Sequence, residues 1–192
     1  MTVQPKTDLT LADYLQFERQ APIKHEYYQG EIFAMTGASR AHNLIVISIA
    51  TLLYNQLRQR PCEIYANDMR VKVSTTGLYT YPDLAVVCDS PQFDDQHKDT
   101  LLNPAVLIEV LSESTERYDR GKKFEHYRSL DSLNDYLLVA QDEIHIEHYQ
   151  RYDKDSWLLN EAKGTEGVIR LDTLACQLLL VEVYEKITFD QY

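Results

Sequence analysis

Pro104-Ala105-Val106-Leu107-Ile108-Glu109-Val110-Leu111-Ser112 is the stretch on which the reading of this chain turns. Apart from Glu109 it is the apolar run of a strand covered on both faces. A carboxylate in its middle loses hydration worth several kcal/mol unless a cation or a set of donors compensates. Strand alternation puts Leu107, Glu109 and Leu111 on one face and Val106, Ile108 and Val110 on the other, so Glu109 emerges from an apolar wall. Upstream, Tyr81-Pro82-Asp83-Leu84-Ala85-Val86-Val87-Cys88 reads as a second strand with Asp83 at its entrance. Two acids carried into the centre of one sheet by neighbouring strands make a site for a hard divalent cation.

Working outward, Thr10 with Asp13 three residues on predicts a capped helix to about Gln20, ended by Ala21-Pro22. His25 to Tyr28 and Glu31 to Met35 around Gln29-Gly30 read as a hairpin. Ser39 caps a long helix to about Gln59, with Leu44, Ile47, Ile49, Leu52, Leu53 and Leu57 as its apolar face, and Pro61 stops it. Short β runs follow at Cys62 to Tyr65, Met69 to Val73, Leu84 to Cys88 and Ala105 to Leu111. The acidic connection from Asp89 to Asn103 reads as mobile. A helix from Tyr118 to Ser129, a strand from Asp135 to Ala140, a second hairpin (Ile144 to Arg151, Trp157 to Glu161) and a last helix from Leu178 to Lys186 complete the pattern. The central order of helix, strands, helix and strand implies an α/β (α+β) fold: a mixed sheet flanked by helices, with an N-terminal hairpin and a C-terminal β extension.

The helix after Glu109 supplies a cation. In Asp119-Arg120-Gly121-Lys122-Lys123-Phe124-Glu125-His126-Tyr127, Asp119, Lys123 and Tyr127 recur on one face. Phe124 and Tyr127 turned to the sheet carry Lys123 toward it and leave Lys122 rotated outward by about 100°. An ammonium there could orient an attacking water or offset charge on a pentavalent phosphate. The plainer alternative is a surface pair between Lys123 and Asp119.

The 192 residues suit one domain, and 44% hydrophobic with 26% charged residues is ordinary globular composition. No apolar window is long enough to span a bilayer, so no membrane association is expected, and Met1 to Asp8 has no secretory pattern. Three isolated cysteines, Cys62, Cys88 and Cys176, read as buried thiols of a cytoplasmic protein. Six scattered histidines speak against structural zinc; His145 and His148 have odd strand spacing and point to opposite faces. The net charge of −11 opposes general affinity for phosphate backbones. A nucleic-acid-binding groove would have to gather Arg40, Arg58, Arg60, Arg70, Lys72, Arg117, Arg120, Lys122 and Lys123 locally.

Tyr81-Pro82-Asp83, then Glu109-Val110-Leu111-Ser112-Glu113-Ser114-Thr115, then Asp119 through Phe124, then Asp135-Tyr136-Leu137-Leu138-Val139 resembles the Uma-type family of proposed restriction endonucleases, within the PD-(D/E)XK nuclease superfamily. His25 to Glu31, Met35-Thr36-Gly37-Ala38-Ser39 and His42-Asn43 also resemble it. The resemblance covers nearly the whole chain and implies a restriction-endonuclease-like core over residues 1–192. It further implies a homodimer and a metal-dependent endonuclease acting on double-stranded DNA. Pro82-Asp83 would be the PD element and Glu109 the next acid. Mg²⁺, or Mn²⁺ in its place, would sit on Asp83, Glu109 and the Val110 carbonyl. Where the superfamily expects lysine this chain has Leu111, and Lys123 on the helix matches branches in which the lysine has migrated.

Glu26 is a further catalytic candidate, either a third carboxylate at the rim or an exposed partner of Lys24. His42 could bond a phosphate or serve as a structural residue. Ser112, Ser114 and Thr115 read as helix caps rather than nucleophiles. Leu111 and the acidic charge suit a rival reading, a scaffold that keeps the fold without useful activity. A hydrolase of small phosphate esters is a third.

Overall fold

Residues 2–3, 8–35 and 37–189 are described in the structure, a computed structural model; Thr36 and most of the Met1–Asp8 stretch lie outside them. The first elements are β1 (Thr2–Val3), α1 (Leu11–Glu18), β2 (His25–Tyr28) and β3 (Glu31–Ala34). At the start of α1 the Thr10 hydroxyl and the Asp13 carboxylate cap each other's backbone N–H. The long helix α2 (Arg40–Leu57) starts at Ser39, whose hydroxyl accepts the His42 N–H. Ile45, Ile49, Leu53 and Leu57 form its buried stripe. The apolar face therefore differs from the expected one: Ile45 packs inward and Ile47 is exposed. A four-residue spacing keeps the stripe on one side of the helix.

The central strands follow: β4 (Cys62–Ala66), β5 (Arg70–Val73), β6 (Leu78–Thr80), β7 (Leu84–Cys88), β8 (Thr100–Leu101) and β9 (Val106–Val110). One helical stretch then runs through α3 (Glu116–Tyr118), a π-helical turn (Asp119–Lys123) and α4 (Phe124–Tyr127). After it come β10 (Asp135–Val139), β11 (His145–Arg151), β12 (Trp157–Lys163), β13 (Val168–Leu171), β14 (Cys176–Leu179) and α5 (Leu180–Val183).

Two mixed six-stranded sheets result, ordered β1-β3-β2-β6-β5-β8 and β12-β11-β10-β9-β7-β4. In the second, β9 lies between antiparallel β7 and parallel β10. Its side chains divide as the alternation predicts. Val106, Ile108 and Val110 join α2 and the C-terminal elements in one core, while Leu107 and Leu111 join Tyr127, Tyr136 and the first sheet in another. Each fully buried Leu or Ile on these faces contributes roughly 1.5–3 kcal/mol. Among the described residues no helix is long and apolar enough to cross a membrane.

Three expectations are corrected. Cys62 and Cys88 are not free thiols: antiparallel pairing of β4 with β7 sets them opposite one another, and they form a disulfide. Only Cys176 is a buried thiol. The Asp89–Asn103 connection is pinned rather than loose. Arg19 pairs with Asp95 at 2.6 Å and Asp99 at 2.7 Å, Lys72 with Asp94 at 2.6 Å, and Arg70 with Asp99 at 2.9 Å. The expected last helix, Leu178 to Lys186, forms only in part: Leu178 and Leu179 end β14, which pairs with Val168–Leu171, and a single helical turn, α5, follows. A short apolar run alone does not distinguish these states.

Candidate active site

Glu109 enters the space between the two sheets from β9, with 4% of its surface exposed. Lys123 reaches the same point from the π-helical turn and Glu26 from β2 of the other sheet. The Lys123 ammonium lies 2.8 Å from Glu109 Oε1, 3.4 Å from Asp119 Oδ1 and 3.6 Å from Glu26 Oε1. Tyr127, one α-turn beyond Lys123, donates its hydroxyl to Glu109 Oε1 at 2.9 Å. Thr80 donates to Glu26 Oε1, while Glu26 Oε2 is buried without a hydrogen-bond partner. Glu26 is thus neither exposed nor paired with Lys24, whose ammonium goes to Asp68 and the Asn67 carbonyl. Lys122 projects outward to Glu125, as the helical rotation requires.

Asp83 stands at the mouth of β7. Its Oδ2 accepts the Val110 N–H at 2.7 Å and faces His42 Nε2 at 3.0 Å. The α2 cap is what brings His42 there, since Ser39 fixes the first turn of that helix. Glu26, His42, Asp83, Glu109, Asp119 and Lys123 line one cleft of about 1030 Å³, with Val110, Ser112, Thr115 and Tyr118. The Ser112, Ser114 and Thr115 hydroxyls bond to one another instead of capping; the Ser112 carbonyl accepts the Thr115 and Glu116 N–H groups.

Sequence reasoning therefore placed Asp83, Glu109, Lys123, Glu26 and Val110 in what is one cleft. It did not see that His42 holds Asp83, that Thr80 holds Glu26, or that Asp119 belongs to the cluster rather than to the surface. The repeat of Asp119, Lys123 and Tyr127 was the available signal for the last of these.

Burial pushes the Glu109 carboxyl well up, against the pull of Lys123, and the neighbouring Asp119 and Asp83 add to the rise. Burial likewise raises Asp119. Burial works to lower Lys123, but Glu109, Tyr127, Asp119 and Glu26 outweigh it and hold the ammonium above its ordinary value. Three carboxylates share one ammonium, an excess of negative charge in a poorly hydrated place. An all-oxygen donor set with a buried orphan oxygen fits a hard divalent cation.

The cations expected to form a groove are mostly engaged elsewhere. Arg70 is buried against Thr100, Tyr81 and Asp99; Lys72 holds Asp94; Arg120 holds Glu116 and Glu147; Arg60 bonds the Leu174 carbonyl. Arg40, Arg58 and Arg117 have no ion pair among the described residues. Lys24 and Lys123 are the lysines lining the cleft, against Glu26, Asp68, Asp83, Glu109, Glu113 and Asp119. A separate group of potential metal-ligand atoms, from His145, Glu147 and Glu161, gathers on the β11–β12 hairpin.

A model of the Uma2 family, described as "Putative restriction endonuclease", matches residues 11–181. An uncharacterized protein of Synechocystis sp. is 38% identical over 169 residues, 88% of this chain and 96% of its own length. Another from the same organism is 35% identical over 185 residues, 96% of each chain. A crystal structure of "a putative nuclease belonging to DUF820" from Anabaena variabilis has a TM-score of 0.72 with this chain at 16% identity, covering 92% of this chain and 98% of that one. That likeness speaks for the fold.

Proposed function

The chain belongs to the Uma2 family, and from that premise we propose that it is a metal-dependent endonuclease hydrolysing phosphodiester bonds of double-stranded DNA. The observation that carries this reading is the convergence of Glu109, Asp119 and Glu26 on the single Lys123 ammonium beside Asp83. Asp83 and Glu109 would hold Mg²⁺, or Mn²⁺ in its place, with the Val110 carbonyl as a further ligand. When bound, the ion supplies positive charge for the scissile phosphate and makes a coordinated water more acidic.

The chain's own residues supply the rest. His42 and the Val110 N–H hold one Asp83 oxygen, so the carboxylate keeps a fixed orientation toward the cleft. Tyr127 does the same for Glu109. Lys123 keeps its proton on Nζ because carboxylates surround it, and from there it orients the attacking water and offsets charge on the phosphate. Glu26, held by Thr80, limits where that ammonium can move.

The reading includes one domain over residues 1–192 and a homodimer; the Cys62–Cys88 disulfide removes the free-thiol argument for a cytoplasmic location. For the dimer, β12 is an outer strand of its sheet and exposes Leu158 and Leu159, an open edge that a second copy can pair with. Light scattering checks it; a monomer across micromolar concentrations removes it.

The test of the activity is cleavage of plasmid DNA by wild type and Asp83→Ala with Mg²⁺ or Mn²⁺. Metal-dependent nicking that falls by about a thousandfold, the equivalent of several kcal/mol of lost charge stabilisation, supports the proposal. Equal rates in the two proteins defeat it. A second reading, a scaffold of the same fold without useful activity, draws on the acidic cleft lining and Leu111. It is sustained if wild type fails to cleave with either ion.

A further inference from the structure

We propose that His145, Glu147 and Glu161 form a second metal site, selective for a borderline divalent ion such as Zn²⁺ and independent of the Asp83–Glu109 cleft. One ligand atom from each of the three lies within 4.8 Å of the others. The placement follows from strand register. Glu147 pairs directly with Glu161 across β11 and β12, and His145, two residues before Glu147, projects to the same face.

The histidine points to a ligand independently of the carboxylates. His145 is 7% exposed, and its Nε2 is buried without a hydrogen-bond partner. That nitrogen faces into the cluster, 3.3 Å from Glu161 Oε1. Its other nitrogen, Nδ1, lies 3.4 Å from Glu143 Oε1, so a second carboxylate faces the ring on the side away from Nε2.

One imidazole with two carboxylates is a donor set for zinc and its neighbours in the transition series; Mg²⁺ prefers oxygen alone. Room for the ion exists on the carboxylates. Glu147 Oε1 is taken by Arg120, but Oε2 has only a long 3.4 Å bond from the Tyr149 hydroxyl. Glu161 Oε2 faces the exposed Lys163 at 3.4 Å, leaving Oε1 toward His145.

The site is separate from the cleft but not remote from it. Glu109, Leu138, Glu147 and Glu161 stand in register across four strands, so Glu147 is two strand spacings, roughly 10 Å, from Glu109. Arg120, which reaches Glu147, belongs to the π-helical turn that carries Lys123. An ion on Glu147 competes with that guanidinium for charge, and so acts on the helix from its outer side.

The experiment is calorimetric titration of the full chain with Zn²⁺ alone, in wild type, Asp83→Asn, His145→Ala and Glu161→Gln, repeated with millimolar Mg²⁺ present. Asp83→Asn should keep the site, and Mg²⁺ should not displace the ion. His145→Ala and Glu161→Gln should each weaken it at least tenfold. Glu161 lies half-exposed on an outer strand, so its variant remains informative if His145→Ala fails to fold. Zn²⁺ affinity in the folded variants within threefold of wild type, or complete displacement by Mg²⁺, overturns the proposal. DNA cleavage is not a readout here, so the result stands apart from the nuclease reading.

Discussion

Asp94, Asp95 and Asp99 on the β7–β9 connection, and Glu26, Glu109 and Asp119 in the cleft, are two acidic triplets with opposite electrostatics. In the first, Arg19, Arg70 and Lys72 stand against three carboxylates. The bond from Arg19 is the main cause that lowers both Asp95 and Asp99 below the usual carboxylate range, and Arg70 adds to the fall of Asp99. In the second, three carboxylates share Lys123, and burial raises Glu109 and Asp119. The first triplet is electrically complete and ties a connection down. The second has unspent negative charge, the condition for taking up a further cation. Acidity alone distinguishes nothing; the count of cations per carboxylate does.

The sharpest way to break this contrast is Lys123→Ala. It leaves three buried carboxylates without their ammonium, which should cost roughly 3–5 kcal/mol of folding stability in metal-free buffer. Excess Mg²⁺ should restore part of that loss in urea denaturation, and metal-dependent cleavage should disappear. A variant as stable as wild type without metal would show that the ammonium is not the cluster's countercharge. Asp99→Asn should cost less, about 2 kcal/mol, since Arg70 loses one of several partners and Arg19 keeps Asp95. Added Mg²⁺ should restore none of it.

Titration separates the triplets by sign. Carboxyls held below their unfolded value give stability that is present above that value and lost as pH falls through the folded one. Asp95 and Asp99 are of this kind. Carboxyls held above it, as Glu109 and Asp119 are, do the reverse: metal-free stability rises as pH falls through their folded values. Metal-free wild type should therefore gain stability on mild acidification from neutral pH before losing it in stronger acid. Asp99→Asn should blunt the loss and leave the gain. A monotonic fall from neutral pH would contradict the raised pair. The smallest effect belongs to Lys122→Ala, under about 1 kcal/mol, because its bond to Glu125 is exposed on both sides. A larger loss would mean that Lys122, too, serves the cluster.

Much of this was legible in the chain. Glu109 stands out because a charge interrupts an apolar strand, and Lys123 because the helix repeat ties it to Tyr127. The β9 alternation then fixes which face they share. What escaped were contacts that join distant segments: Cys62 with Cys88, His42 with Asp83, and Arg19 and Arg70 with Asp99. Each depends on which strands and helices become neighbours, and local pattern carries no record of that. The acid-rich connection looked loose for the same reason, its cations lying far away in sequence. The C-terminal run differs in another way: its first two residues are strand and the next four helix, since a few consecutive apolar residues suit both states.

The π-helical turn at Asp119–Lys123 has a consequence for lineage and for engineering. Such a turn corresponds to one residue more than an α-helix would use over the same span, and Gly121 at its middle meets nothing where a side chain would begin. Deleting that residue should let the helix close into uniform α over the same span, with its two halves keeping their present faces. Asp119 and Lys123 would then stand three rather than four positions apart, with Lys123 still turned to the sheet. In this stretch the turn behaves like slack in a cable: a relative shorter by one residue could lose the turn and still present its lysine to Glu109.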